Sequence, residues 1–231
     1  MFFSGRERQI SWLIRELSRG RHIIITGKFG IGKTTLVRHL VKLCSDTMKD
    51  TSKWHFIFLD FSQTPSEMCR KLQKDLAMRR ERHELESLTF KQRRSRIAVK
   101  ASYSKKKHVV VLDNIASLTS QKLSLIQYFL LERAFQFIAL TESFLSVREL
   151  FLLRAALTPA EVLELGYLRI DETLAALSSA SEKNDFGWMD SHLRMLATVT
   201  KGYPLGIREA VERELRRHRQ NEDAANIEAN G

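Results

Sequence analysis

The chain has 231 residues, 43% of them hydrophobic, enough for one core with a small appended unit. Its net charge of +11 and pI near 9.9 favour an acidic polymer as partner. Only two cysteines, Cys44 and Cys69, are present, which argues against a disulfide framework, and charged residues such as Glu132 and Arg133 interrupt the longest apolar run, which argues against a membrane span. A reducing, cytoplasmic setting without membrane contact is expected, and Met-Phe-Phe-Ser-Gly-Arg-Glu has neither signal nor transit character.

The first pattern is an amphipathic helix with Ile10, Leu13, Ile14 and Leu17 on one face, broken at Gly20. Ile23-Ile24-Ile25 reads as a buried strand, and Thr34 to Lys42 as a helix. Between them, Gly27-Lys28-Phe29-Gly30-Ile31-Gly32-Lys33-Thr34-Thr35 fits G-x-x-x-x-G-K-S/T, the Walker A pattern. The glycines let backbone N–H groups turn inward, and the helix dipole adds partial positive charge. Gly27, Gly30, Ile31, Gly32, Thr34 and Thr35 would cradle the phosphates of ATP. Lys33 would reach its β- and γ-phosphates, and the Thr34 hydroxyl would bind Mg²⁺.

A second strand, Trp54 to Phe61, ends at Asp60. Thr64-Pro65-Ser66-Glu67 then opens a helix, with Thr64 as cap, proline first and glutamate three residues after the cap. Met68, Leu72 and Leu76 form its apolar stripe. From Arg79 to Lys107, eleven Lys/Arg stand against three Glu, a net of +8, with Phe90 and Tyr103 interspersed. One or two exposed helices are expected there, serving as a polyanion contact or simply as a solvated charged hairpin.

His108 to Leu112 is a third strand, closed by Asp113-Asn114. A helix over Leu118 to Leu131 leads to a fourth, Phe135 to Leu140, ending in Thr141-Glu142. A helix over Leu145 to Ala156 stops before Pro159, and Val162 to Leu165 is a short fifth strand. Helices over Asp171 to Ser179, Trp188 to Thr200 and Pro204 to Arg217 follow, with Gly202-Tyr203-Pro204 as a turn. The alternation predicts an α/β fold: a three-layer parallel sheet of about five strands with a small C-terminal helical lid. The expected division is a core over 1–166 with a basic insertion at about 79–107, a lid over 167–219, and a disordered polar tail over 220–231.

Ligands of such sheets lie at the carboxyl ends of the strands. Asp113 ends the run Val109-Val110-Val111-Leu112 as in Walker B, and its carboxylate would hold the Mg²⁺ shell opposite Thr34. Many such ATPases place a second carboxylate next; here it is Asn114, which can orient water but cannot take its proton at neutral pH. Asp60 and Glu142 end neighbouring strands, and either is a candidate for that task. Without such help hydrolysis is slow, and the protein works as an ATP-gated switch. Thr141 is a candidate γ-phosphate sensor. Arg148 and Arg154 are candidate arginine fingers toward a neighbouring subunit, or solvated helix-face arginines.

Together these pieces resemble the AAA+/STAND group of P-loop ATPases (the ASCE type), over roughly Phe3 to Arg217. Phe3-x-Gly5-Arg6-Glu7 is similar to the GRE box ahead of Walker A in origin-initiator and STAND ATPases, which implies an adenine pocket at Gly5, Arg6 and Ile10. Leu112-Asp113-Asn114 resembles the STAND form of Walker B, and Leu165-Gly166-Tyr167-Leu168 before Glu172-Thr173 the strand-to-lid transition. Gly202-Tyr203-Pro204-Leu205 resembles the G-x-P turn whose proline packs near the adenine, and Arg208 lies near the sensor 2 position.

In size and organisation the chain also resembles compact DNA-transposition regulators of the TniB, TnsC and MuB kind, which assemble on DNA with ATP. That resemblance implies a homo-oligomer and a protein partner such as a transposase. DNA phosphates would be neutralised, without sequence readout, by Arg79, Arg80, Arg82, Lys91, Arg93, Arg94, Arg96, Lys100, Lys105, Lys106 and Lys107. The rival expectation is a STAND-type switch in which ATP/ADP exchange controls protein–protein contacts. A metabolic kinase is a third, without an acceptor-substrate site in the sequence.

Overall fold

The computed structural model describes residues 5–47, 54–76 and 88–229. In chain order the elements are α1 (Glu7–Ser18), β1 (His22–Gly27), α2 (Lys33–Thr47), β2 (Trp54–Asp60), α3 (Pro65–Asp75), α4 (Phe90–Ser102) and β3 (Lys107–Ile115). They continue with α5 (Ser120–Leu131), β4 (Gln136–Thr141), α6 (Val147–Ala156), β5 (Ala160–Leu165), α7 (Ile170–Asn184), α8 (Asp190–Thr200) and α9 (Pro204–Ala229). The strands form one parallel sheet in the order β2-β3-β4-β1-β5. The predicted α/β class and five-stranded parallel sheet are what the chain adopts.

Successive strand side chains point to opposite faces, so a strand covered on both sides reads as a continuous apolar run. Ile24, Val110, Leu112 and Ala139 face a core shared with α3 to α6, whereas Ile23, Ile25, Val109, Val111 and Leu140 face one shared with α1 and α2. Because the strands are parallel, their carboxyl ends share one edge: Gly27, Asp60, Asp113 to Ile115, Thr141 and Leu165. Lys107 opens β3 at the opposite edge.

Helix α4 departs from the expectation of exposed helices. A capping box, Thr89 with Gln92, starts it, and Ile97, Ala98 and Ala101 are buried against α3 and the sheet. It is therefore part of the crossover between β2 and β3, with only its outer face in solvent. Strand β3 runs further than its apolar pattern, through Asp113 and Asn114, by way of a register shift between Leu112 and Ile115. Helices α7 to α9 pack on one another around Leu177, Ala197 and Ile207. Helix α9 continues to Ala229, over the segment expected to be a tail, because nothing in 220–229 breaks a helix. Arg79, Arg80 and Arg82 lie outside the described residues. Among the described residues, no helix is long and apolar enough to cross a membrane, and Cys44 and Cys69 are free and buried.

Two buried histidines sit near the strand starts. His22 accepts at Nδ1 from the Phe137 N–H (3.0 Å), and His108 meets His55 Nδ1 to Nδ1 at 3.0 Å. Burial, joined at His108 by the His55 ring, lowers each to about 4. The native state thus holds both neutral, while the unfolded chain protonates them near pH 6.5, so their stabilisation is full above that value and is lost as pH falls toward 4. Denaturation midpoints should drop between pH 7 and 4.5 by an amount equivalent to about 2 kcal/mol per histidine, and His108→Gln should flatten the slope.

Candidate nucleotide site

The loop from β1 to α2 turns at three glycines with positive φ: Gly27 (144°), Gly30 (70°) and Gly32 (91°). Two are also crowded. A Cβ on Gly27 would lie 2.7 Å from the Leu165 carbonyl oxygen, and one on Gly30 2.6 Å from Tyr203 Oη and 2.8 Å from Leu205 Cβ. Gly32 has open space beside it, so there the backbone angle alone demands glycine. Helix α2 begins directly after, its first-turn N–H groups and dipole aimed at the loop.

Lys33 is buried (6% exposed), and its ammonium donates to the carbonyls of Gly27 (3.0 Å) and Lys28 (3.2 Å) and pairs with Glu142 Oε2 (3.3 Å). Thr34 donates its hydroxyl to the Asp113 carboxylate, 3.1 Å from each oxygen. A hydroxyl beside a carboxylate, next to a phosphate loop, is a hard-oxygen donor set suited to Mg²⁺. The glycine cradle, Lys33 and this pair fit a Mg²⁺-nucleotide: the loop would hold phosphates, Thr34 and Asp113 the metal. The bound ion would neutralise charge on the phosphate oxygens.

Asn114 occupies the bulge in β3 with φ 61°, a left-handed conformation that asparagine tolerates. Its side chain lines the cleft and donates to Asp60 Oδ1 at 3.4 Å. Asp60 also accepts from the Ser62 N–H (2.9 Å); that bond first, then Ser62's hydroxyl and the Asn114 amide, hold its carboxyl below the usual range. Thr141 is buried and turns its hydroxyl to the Ile25 carbonyl (3.5 Å), away from the cleft. Arg148 and Arg154 are exposed on α6, outside the cleft.

Of Gly5, Arg6 and Ile10, assigned by the GRE-box resemblance to an adenine pocket, only Arg6 lines the cleft. It is buried, has φ 72° and donates from Nη2 to the carbonyls of Ile31 (3.1 Å) and Gly166 (2.9 Å). Burial pulls its guanidinium below the ordinary value, and Glu172 partly offsets this. Arg6 thus ties the phosphate loop to the end of β5. Gly5 packs against Glu172, and Ile10 lies in the α1/α2 core, where its helix-face spacing sends it. Pro204 and Arg208 both line the cleft, Arg208 paired with Glu212 (3.2 Å).

The cleft has a volume of about 540 Å³, and its apolar wall is built largely from residues that belong to no motif. Leu205, Ile207, Val211 and Leu215 of α9 and Ala176 and Ala180 of α7 form it. The i, i+4, i+8 spacing of Ile207, Val211 and Leu215 was the available signal, but such a stripe ordinarily marks core. The loop tip is also fastened to α9 and to the connection after β5. Tyr203 donates to the Phe29 carbonyl (2.8 Å), and Lys28 lies 3.1 Å from Tyr167 Oη and 5.1 Å from its ring centre.

The assigned basic residues divide. Arg93 is buried (8% exposed), and Arg94 stacks 4.2 Å over the Tyr128 ring, because both lie on the inner flank of α4. Lys91, Arg96 and Lys100 are exposed, Lys91 and Lys100 on opposite flanks of the helix. Lys105, Lys106 and Lys107 are exposed too, but at the sheet edge opposite the phosphate loop.

A family model described as an AAA domain matches residues 15–146, more than half of the chain. The chain belongs to the AAA family. This AAA fold is similar to the Aeropyrum pernix ORC1 protein, solved in complex with DNA, with a TM-score of 0.69 and 15% identity over 94% of this chain and 62% of that one. It is likewise similar to the ORC2 protein of Aeropyrum pernix in ADPNP-ADP complexes (TM-score 0.68, 16% identity, 90% of this chain and 61% of that one). Hsp104 of S. cerevisiae in its ADP complex also matches (TM-score 0.65, 18% identity, 99% and 33%). The AAA chain thus spans less than two thirds of these proteins' lengths, and the likeness is one of fold. No curated protein sequence matches it.

Proposed function

We propose that this AAA protein is a nucleotide-gated, oligomerising DNA-binding regulator, of transposition or a similar DNA transaction, with slow ATP hydrolysis. The observation that carries the DNA part is α4 and its flanks. Residues 88–107 contain eight Lys/Arg and no acid, and the exposed cations lie on a helix anchored into the core. Exposed cations on such an anchored helix neutralise phosphates without reading bases. The DNA complex of the similar ORC1 protein supports it. Anisotropy of a labelled duplex at low salt, with a non-hydrolysable ATP analogue and with ADP, tests the reading. Undetectable binding with the analogue would overturn it.

The Thr34–Asp113 pair supports Mg²⁺-ATP as the ligand, and the bound residues of the cleft supply little base. Asp60 is engaged by Ser62 and Asn114, Glu142 by Lys33. Asn114→Asp is therefore expected to raise phosphate release about tenfold. Asn114→Glu should act in the same direction but lose about 1 kcal/mol of stability at the positive φ. Unchanged turnover in both would place the base elsewhere.

Self-association is supported by Phe144, Val147 and Phe151, three exposed apolar side chains at one end of α6, beside Arg148 and Arg154. These arginines would act on the site of a neighbouring copy. The same patch favours the second reading, a cytoplasmic switch acting through protein contacts, which DNA-independent, nucleotide-dependent assembly in sedimentation would select. A transposase is the partner class for the first reading.

A further inference from the structure

Among the carboxylates at the carboxyl ends of the strands, Glu142 stands apart and lines the cleft. Asp113 is bonded to Thr34, and Asp60 to Ser62 and Asn114, whereas Glu142 pairs with the phosphate-loop lysine itself, Oε2 to Nζ at 3.3 Å. The pair is enclosed, Lys33 being 6% and Glu142 15% exposed. The Glu142 N–H bonds the Ile115 carbonyl at 3.1 Å, which fixes the backbone from which its carboxylate reaches the loop. With the carbonyls of Gly27 and Lys28, it gives the three ammonium protons three oxygen acceptors.

We propose that Glu142 sets the preference of the site between nucleoside tri- and diphosphate, by holding Lys33 as a built-in rival of the terminal phosphate. This deepens the nucleotide reading of the cleft and rests on it. A phosphate-loop lysine serves the β- and γ-phosphates. A triphosphate makes both demands on Lys33: it must detach Glu142 and then stand beside the released carboxylate, like charge against like. A diphosphate makes one demand and brings no terminal group. The carboxylate therefore penalises the triphosphate more, and the site leans toward diphosphate unless Mg²⁺ or a partner adds positive charge.

Competition of ADP and a non-hydrolysable ATP analogue against a fluorescent nucleotide, on the full chain with Mg²⁺, reads this directly. In Glu142→Gln the analogue should bind about tenfold tighter, and ADP should change by less than about threefold. Equal changes for both, or an unchanged or weaker analogue, would overturn the proposal. Should the glutamine variant fail to fold by circular dichroism, Glu142→Asp, too short to hold Lys33, is read instead. Its preference must then shift toward the triphosphate by at least about threefold, or the proposal is lost. Absence of any nucleotide binding by the unsubstituted protein would sink the site reading as well. Normal binding with an unmoved preference in the variant would sink the role of Glu142 alone.

Discussion

Lys33→Ala is expected to weaken binding of both ADP and a non-hydrolysable ATP analogue by at least about a hundredfold. The side chain is buried and holds three oxygen atoms, the carbonyls of Gly27 and Lys28 and the carboxylate of Glu142. Removing the ammonium leaves those oxygens, one of them charged, facing the space that phosphates need. Removing the cation from a buried, hydrogen-bonded charge contact to a bound partner typically costs about 2–5 kcal/mol of binding. The carboxylate left facing the phosphates adds repulsion, so a loss of at least about a hundredfold is expected. Calorimetric titration checks it. Binding retained within about tenfold would mean that the phosphates are held away from this loop.

Reversing Lys91, Arg96 and Lys100 to glutamate together should reduce duplex DNA affinity at moderate salt by about a hundredfold or more. The more diagnostic change is in the salt dependence. Each phosphate contact contributes about 0.9 to the slope of log affinity against log salt, so the slope should fall by about 3. These three side chains are exposed, and none is among the buried residues of α4 or makes the Thr89–Gln92 cap bonds. Glutamate at 91 suits the helix N-terminus and glutamate at 100 opposes the C-terminus, so the helix itself should be little affected. Arg93 and Arg94 are left intact because one is buried and the other packs on Tyr128. An unchanged slope would move the DNA contact off α4.

The order of strands and helices was legible because both faces of the sheet are covered, and continuous apolar runs such as Val109 to Leu112 have few other uses. The loop from Gly27 to Thr35 was legible because its glycines and lysine are constrained together. Less could be read where residues act through the backbone or across long sequence distances. Asn114 sits in a bulge that its neighbours do not announce. The inner placement of Arg93 depends on how α4 rolls onto Met68, Cys69 and Leu72, which charge counting ignores. Arg6 was assigned by resemblance to the adenine, whereas its hydrogen bonds join Ile31 to Gly166, contacts 25 and 160 residues away. Thr141 shows the limit of reading strand ends, since the last strand residue can still turn inward.

The bond from Tyr203 to the Phe29 carbonyl, with Leu205 against Gly30, puts the root of α9 on the tip of the phosphate loop. Helix α9 is 26 residues long, and at 1.5 Å per residue it extends about 39 Å from that root. A tilt of about 10° at Pro204 would carry the far end through about 7 Å, by the same geometry. The loop and the helix form a lever with unequal arms. A shift at the loop tip too small to disturb the sheet becomes, at Ala229, a displacement the length of an extended side chain.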